Sequence, residues 1–208
     1  LFLIALFWGI LGYRSGCTIS CLIKSLLGGK IAYIFSFFLV FAVVVWVSIN
    51  VTNCSDGVDG LCGTLSAVTL TSAYVLFKVF EIEPYFRHTI LLMTVCILGY
   101  LWFNASPSKL LMGDAGSRAI GLFIAFTFLK LHHPLLYIPM AIMLILDGGL
   151  GLIKVSFMRF LHINLFKNLR TPIHDHMRKK LEWSDAQVVF RFTIIQLVIC
   201  IGCIYAIM

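Results

Sequence analysis

The sequence predicts an all-α, polytopic membrane protein, a bundle of transmembrane helices, and three observations support this. Of the 208 residues, 61% are hydrophobic and only 12% are charged, whereas a soluble domain has about 25% charged residues. The mean hydropathy is +1.01. Apolar stretches of about 20 residues, the length that crosses a bilayer, alternate with short polar segments. This pattern excludes a disordered chain, a disulfide-rich secreted scaffold and an ordinary soluble enzyme.

Seven apolar segments are the candidate transmembrane helices of a single domain over residues 1–208. The first is too short to span alone and is expected to be the end of a helix that begins upstream. Turn-forming Asn, Asp, Gly and Pro residues separate most of the others. The segments are residues 1–13, 31–49, 61–80, 88–104, 117–131, 135–155 and 187–208.

The uneven distribution of positive charge predicts the orientation in the bilayer. Lys and Arg are enriched in the cytoplasmic loops of membrane proteins. Most of the 16 Lys and Arg residues lie inside if the first segment runs outwards. Three polar loops then face the cytoplasm: loop 1 (residues 50–60), loop 2 (105–116) and loop 3 (156–186). We expect the net charge of +7 to face lipid headgroups or an anionic substrate, and we expect no nucleic-acid partner.

Loop 1 carries amide and acid side chains at intervals of three residues. On a helical turn, residues three apart share a face, so they would form one polar stripe at the mouth of a membrane helix. Polar groups beside hydrocarbon are costly unless they are used, which favours a functional stripe over a solvated loop with helix caps. The stripe consists of Asn50, Asn53, Asp56 and Asp59.

Loop 2 contains a single acid, Asp114, between two glycines just before a predicted helix. The N-terminus of a helix attracts phosphate, and Mg²⁺ typically binds one or two carboxylates together with substrate phosphates. Asp114 is therefore a candidate magnesium ligand. The alternative is that Asp114 only caps the helix expected to begin near Ser117. Without the other two loops, helix capping would be the better explanation of this residue.

Loop 3 contains two histidines around an acid, His174, Asp175 and His176, followed by a basic run. Such a group could bind a metal, move protons or bind phosphate. A zinc site is disfavoured because Cys ligands and an H-E-x-x-H pattern are missing. The basic run is equally well explained as a collar that faces lipid headgroups. Acids, histidines and cations on one membrane face together favour Mg²⁺-dependent phosphoryl transfer.

Three blocks of sequence carry a resemblance to a known family. NVTNCSDGVDGL is similar to the family pattern N-x-x-N-x-x-D-G-x-D-G-L, and FNASPSKLLMGDAGS is similar to FN-x-x-P-x-K-x-F-M-G-D-x-G-S. The third block, TPIHDHMRKKLEWSDAQVVFRF, is similar to P-[IL]-H-H-H-F-E…W-S-E-x-x-V-V-x-R-F. The chain thus resembles the polyprenyl-phosphate N-acetylhexosamine-1-phosphate transferase superfamily, and within it the phospho-N-acetylmuramoyl-pentapeptide transferase (MraY) family.

The resemblance implies a ten-helix enzyme of the bacterial plasma membrane, usually a homodimer, whose site faces the cytoplasm. It implies transfer of phospho-MurNAc-pentapeptide from UDP-MurNAc-pentapeptide to undecaprenyl phosphate with Mg²⁺, giving lipid I and UMP for peptidoglycan synthesis. Asp114 corresponds to the magnesium-binding Asp and, with Asp56, Asp59 and His174, to the catalytic residues. Residues that correspond to substrate-binding positions are Asn50, Asn53, Asn104, Lys109, His174, Asp175 and His176.

This sequence departs from the family pattern in three places. Asp175 replaces the middle histidine, and Leu111 replaces the Phe before M-G-D, which removes a candidate stacking partner for uracil. Residues 13–20 resemble the connector after the family's fourth helix, so we expect this chain to be the C-terminal part of the fold, without the paired-Asp motif of the third helix.

Two other functions are compatible with the sequence. The first is an inactive truncated homologue or partner subunit. The second, less favoured, is a transporter, which would place polar groups along several spans. Asp147 is the only acid deep within a predicted span, and a transporter would be expected to supply an intramembrane partner for it.

Overall fold

The computed structural model describes residues 38–162 and 169–208, without the side chains of Phe160 and Leu161. The predicted segment 1–13 and the motif at 13–20 lie outside the described residues. The chain divides into two compact units, residues 1–44 and 45–208. Of the first unit only residues 38–44 are described, and they are helical. Every contact reported below lies within the second unit.

The described residues form helices joined by turns, with no strand among them. One 3₁₀ turn, Pro134–Leu136, precedes α5. The helices are α1 (Phe38–Cys54), α2 (Leu61–Val79), α3 (Pro84–Asn104), α4 (Gly113–Lys130), α5 (Tyr137–Met140), α6 (Ile142–Leu161), α7 (Ile173–Lys180) and α8 (Asp185–Ile207).

Several of these helices can cross a membrane. By length and hydropathy α2, α3 and α8 each qualify, and Pro134–Met140 with Ile142–Arg159 qualifies as a fourth, bent span. Exposed apolar side chains such as Trp102 on α3 and Ile201 on α8 suit contact with lipid tails. The all-α, multi-pass prediction is confirmed. The count of about seven spans stays a prediction, because residues 1–37 lie outside the described part.

Helices pack closely where glycine replaces a side chain. A Cβ atom on Gly121 of α4 would lie 2.7 Å from the carbonyl oxygen of Ser48 on α1. A Cβ atom on Gly148 of α6 would lie 2.6 Å from the Cα atom of Val51, also on α1. Small residues let membrane helices approach backbone to backbone, and the Ser48 hydroxyl donates a hydrogen bond to the Gly121 carbonyl at 2.7 Å. These contacts fix α4 and α6 against the end of α1.

The segment predicted as one span, residues 135–155, is broken instead. Its two halves meet at an angle of 93°, around Ala141. Backbone groups freed inside a bilayer need other partners, and Gln196 of α8 supplies them. Its side-chain oxygen accepts the Met143 N–H at 2.8 Å, and its amide nitrogen donates to the Met140 carbonyl. The prediction of an unbroken span was wrong, and the sequence signal for the break is Pro139, a helix-disrupting residue two positions before Ala141.

Helix boundaries near the three loops also differ from the sequence prediction. α1 continues to Cys54, so Asn50 and Asn53 lie on a helix and only residues 55–60 form the turn of loop 1. α4 begins at Gly113, four residues before the predicted start, so Asp114 lies in its first turn. Loop 3 contains a helix of its own, α7, which begins directly after Pro172, a residue that suits helix starts.

Candidate functional site

Loop 1 and loop 2 are joined by hydrogen bonds from buried side chains. The side-chain oxygen of Asn104 accepts the Gly60 N–H at 2.9 Å, and its amide nitrogen donates to the Leu110 carbonyl at 2.8 Å. Asp59 accepts the Ser108 N–H at 3.0 Å. Asn104 is only 4% exposed, so in this structure its amide group connects the two loops.

A second link joins the end of α1 to the start of α4. The Ser117 hydroxyl donates to the side-chain oxygen of Asn53 at 2.8 Å. Asn50, one turn earlier, instead donates to the Trp46 carbonyl of its own helix at 2.7 Å. The predicted stripe of loop 1 is thus divided: Asn53 contacts α4 and Asp59 contacts loop 2, whereas the amide of Asn50 bonds within α1.

Two carboxylates from different loops lie near each other at the start of α4. Burial raises the pKa of Asp56 to about 6, the charge of Asp114 adds to this rise, and a hydrogen bond from the Gly113 N–H opposes it. Asp114 is exposed, and its carboxylate lies 3.2 Å from the guanidinium of Arg118, one turn along α4. Asp56 is half-buried, so one carboxylate of the pair is partly shielded from solvent and the other is exposed.

The two carboxylates fit a magnesium site better than a site in which the protein supplies every metal ligand. Within residues 38–162 and 169–208, no group of three or more His, Cys, Asp or Glu side chains is placed to hold a metal ion. Mg²⁺ commonly binds one or two carboxylates and takes its other ligands from water and substrate phosphates. Asp56 and Asp114 supply two oxygen-bearing side chains of that kind at a solvent-accessible helix start.

Loop 3 meets loop 1 through His174, which is buried at the start of α7. Its Nδ1 atom lies 2.8 Å from an oxygen of Asp147 on α6, and its backbone N–H donates to the other oxygen of the same carboxylate at 2.8 Å. On the far side of the ring, a Cβ atom added to Gly57 would lie 2.6 Å from Nε2. The imidazole therefore stands between Asp147 and the turn of loop 1.

Asp147 is the site residue that sequence reasoning missed. The available signal was a single acid in an apolar helix, which requires a partner in a membrane. Which residue would supply that partner could not be predicted, because His174 is 27 positions away. The partner lies on α7 in loop 3 and not on another span. Asp147 is therefore part of the site formed by the three loops, and not of a polar path along the spans as a transporter would have.

The remaining predicted residues of loop 3 bond within their own region. Burial acts to raise the pKa of Asp175, but the hydrogen bond and charge of Lys179, with the charges of His174 and Arg178, outweigh it and lower that pKa. His176 accepts the Arg170 N–H at 3.2 Å through Nδ1. Lys109 in loop 2 is exposed. The structure brings Asn53, Asp56, Asp59, Asn104, Asp114 and His174 into one cluster of contacts, and their chemical roles stay predictions.

Comparison with known proteins gives the family. The sequence model of glycosyl transferase family 4 matches residues 1–132. The phospho-N-acetylmuramoyl-pentapeptide-transferase of Treponema pallidum is 40% identical over 183 residues, 81% of this chain and 50% of that protein. Proteins of the same name are 36% identical in Dictyoglomus thermophilum (85% of this chain, 55% of that protein) and 30% identical in Helicobacter pylori (76% and 49%).

The chain spans about half the length of the curated relatives it matches. The relatives confirm the resemblance carried by the three motifs, and with the apolar helices they indicate a multi-pass membrane protein of bacterial type. Because the family match extends over more than half of the sequence, the chain belongs to glycosyl transferase family 4.

Proposed function

We propose that this chain carries the cytoplasmic-side site of an Mg²⁺-dependent phosphotransferase of the bacterial plasma membrane. Its substrates are UDP-MurNAc-pentapeptide and undecaprenyl phosphate, and its products are lipid I and UMP. The observation that carries the proposal is the meeting of three distant loops around Asp56, Asp114 and His174. The printed name of the relatives supports the transferred group.

In this reaction an oxygen of the lipid phosphate attacks the sugar-bearing phosphorus of the nucleotide diphosphate. A new P–O bond forms, the P–O bond to the UMP phosphate breaks, and UMP leaves with that electron pair. Such transfers depend mainly on positioning and on stabilising negative charge. The protein must therefore hold two anionic substrates in line at the bilayer surface.

Asp114 and Asp56 are the residues that would hold Mg²⁺. When bound, the ion neutralises charge on the diphosphate. Arg118 adds positive charge beside Asp114, and Lys109 is an exposed cation of loop 2. The hydrogen bonds from Asn104 and Asp59 keep loop 2 against loop 1, so the carboxylates from the two loops stay close.

The test measures UMP release by the full-length protein from UDP-MurNAc-pentapeptide and undecaprenyl phosphate, with Mg²⁺ and with EDTA. Asp114→Asn should abolish transfer without preventing membrane insertion. The matched control is Asp185→Asn, which removes a carboxylate that pairs with Arg178 on loop 3 and should retain activity. Wild-type turnover in Asp114→Asn would exclude the metal role.

The alternative of an inactive homologue or partner subunit is tested by a second comparison. UMP release is measured for these 208 residues alone and for the chain extended by its upstream reading frame. We expect the extended chain to be active, because the family's paired-Asp motif is predicted upstream. Failure of both forms, with substrates bound normally, would favour the partner-subunit role.

A further inference from the structure

The buried pair of Asp147 and His174 has a chemical consequence beyond holding α6 to α7. This inference rests on the proposed function and concerns the same site. Asp147 is fully buried in a helix of a membrane protein, where an unpaired carboxylate is very costly. Both of its oxygens are used by one residue, His174, through the backbone N–H and Nδ1.

The geometry sets which ring nitrogen carries the proton. An ionised carboxylate can only accept hydrogen bonds, so the contact of 2.8 Å between its oxygen and Nδ1 requires the proton on Nδ1. In a neutral imidazole, Nε2 is then the proton acceptor. A carboxylate behind a histidine fixes both tautomer and ring orientation in many functional sites.

The free nitrogen is directed at the turn of loop 1. Gly57 has no side chain, and a methyl group there would lie 2.6 Å from Nε2 and 3.0 Å from Cε1. Gly57 itself is exposed and is followed along the chain by Asp59, which binds loop 2. His174 itself is only 3% exposed, so a substrate that contacts Nε2 must do so at this exposed turn.

We propose that Asp147 is a positioning residue, which holds His174 with Nδ1 protonated and presents Nε2 as a hydrogen-bond acceptor to the nucleotide-sugar substrate. The donor of the hydrogen bond to Nε2 is an O–H or N–H group of the sugar moiety. A phosphate oxygen is disfavoured as the partner, because two acceptors facing each other repel. His174 is therefore expected to orient the sugar, while the carboxylates and cations at the start of α4 face the diphosphate.

A spectroscopic test needs no turnover. In the full-length protein labelled with ¹⁵N-histidine, the His174 signal is assigned by its loss in His174→Asn. We expect a neutral ring protonated at Nδ1. In Asp147→Asn the amide N–H would donate to Nδ1, so the proton should move to Nε2. A wild-type ring protonated at Nε2, or at both nitrogens, would overturn the proposal.

A kinetic cycle tests whether Asp147 acts through His174. His174→Asn keeps an N–H donor for Asp147 but removes Nε2, and Asp147→Asn reverses the tautomer. Each should lower kcat by about 100-fold, a loss that misplacement of a substrate can cause. The double variant should lose no more than either single one, since residues that act as a unit are not additive. Independent, multiplying losses would contradict the proposal.

The two experiments separate this inference from the proposed function. If the wild-type protein releases no UMP, the proposed function fails. The tautomer measurement still decides whether Asp147 holds His174 with the proton on Nδ1. If UMP is released and His174→Asn is fully active, the proposed function stands and the positioning role is excluded. Asp185→Asn is the control in both assays, because it changes loop 3 through Arg178 without touching the buried pair.

Discussion

Loop 1 contacts loop 2 and loop 3 in different ways. Its junction with loop 2 uses neutral backbone N–H groups that donate to Asn104 and to a half-buried acid, Asp59. Its junction with loop 3 is the packing of Gly57 against the His174 imidazole, a ring that Asp147 of α6 holds by hydrogen bonds. In the first junction loop 1 itself makes the hydrogen bonds, whereas the second depends on one buried ring that a carboxylate outside loop 1 holds in place. Mutations should therefore affect the two junctions very unequally.

The largest loss of stability is expected when Asp147 is left without its partner. His174→Ala removes the Nδ1–H donor and leaves one oxygen of the buried carboxylate without a partner, which costs about 3 kcal/mol or more. Chemical unfolding of the full-length protein in detergent measures this loss. His176→Ala is the control, because His176 is half-buried and bonds only within its own loop. Equal losses in the two variants would remove the distinction between the junctions.

A somewhat smaller loss is expected from filling the space beside the ring. In Gly57→Ala the new methyl group would overlap Nε2 of His174, whose ring Asp147 holds in place. Overpacking of this kind costs about 1–3 kcal/mol, and UMP release should fall with stability. Gly99→Ala is the matched control, since a Cβ atom there has nothing within 4 Å. If Gly57→Ala unfolds like the wild type, the ring is not held as described.

The junction with loop 2 should respond more weakly. Asp59→Ala removes the acceptor of the Ser108 N–H and should cost about 1.5 kcal/mol, the lower end of the range for a hydrogen bond to a charged group. Asp59→Asn keeps an acceptor oxygen and should lose less in the unfolding assay. A loss in Asp59→Ala as large as that in His174→Ala would show that the two junctions are equally strong.

The smallest effect is expected at the exposed pair of Asp175 and Lys179. Asp175→Asn removes an ion pair one helical turn apart, worth about 0.3–0.5 kcal/mol. Because folding lowers the pKa of Asp175, its contribution is present above the ordinary carboxyl pKa and is lost as pH falls through the folded value. Unfolding at neutral and acidic pH should therefore differ less in Asp175→Asn than in the wild type.

The sequence predicted that the three loops meet. It did not predict all of the contacts that hold them together. Charge bias and motif spacing indicated that loops 1, 2 and 3 share one membrane face, and Asp56, Asp114 and His174 lie where those loops meet. The partner of Asp147 could not be predicted, because it depends on how α6 packs beside α7. Local periodicity carries no information about such a tertiary contact.

Helix boundaries show the same limit. Asn50 and Asn53 look like turn formers in isolation, yet helix α1 continues through them, with Ser117 bonding Asn53 across the loops. At the break near Ala141, Pro139 is visible in the sequence, but the side chain that satisfies the freed backbone, Gln196, is 53 positions from Met143. Residues that satisfy a distant backbone can be recognised only once the chain is folded.

Gln196 also has a mechanical consequence. Its amide binds the ends of both halves of the broken span, so the last helix and α6 share one attachment point. Met143 lies one helical turn before Asp147. A tilt of α8 would therefore act on the turn of α6 that carries the Asp147 carboxylate and, through it, on the direction of the His174 imidazole.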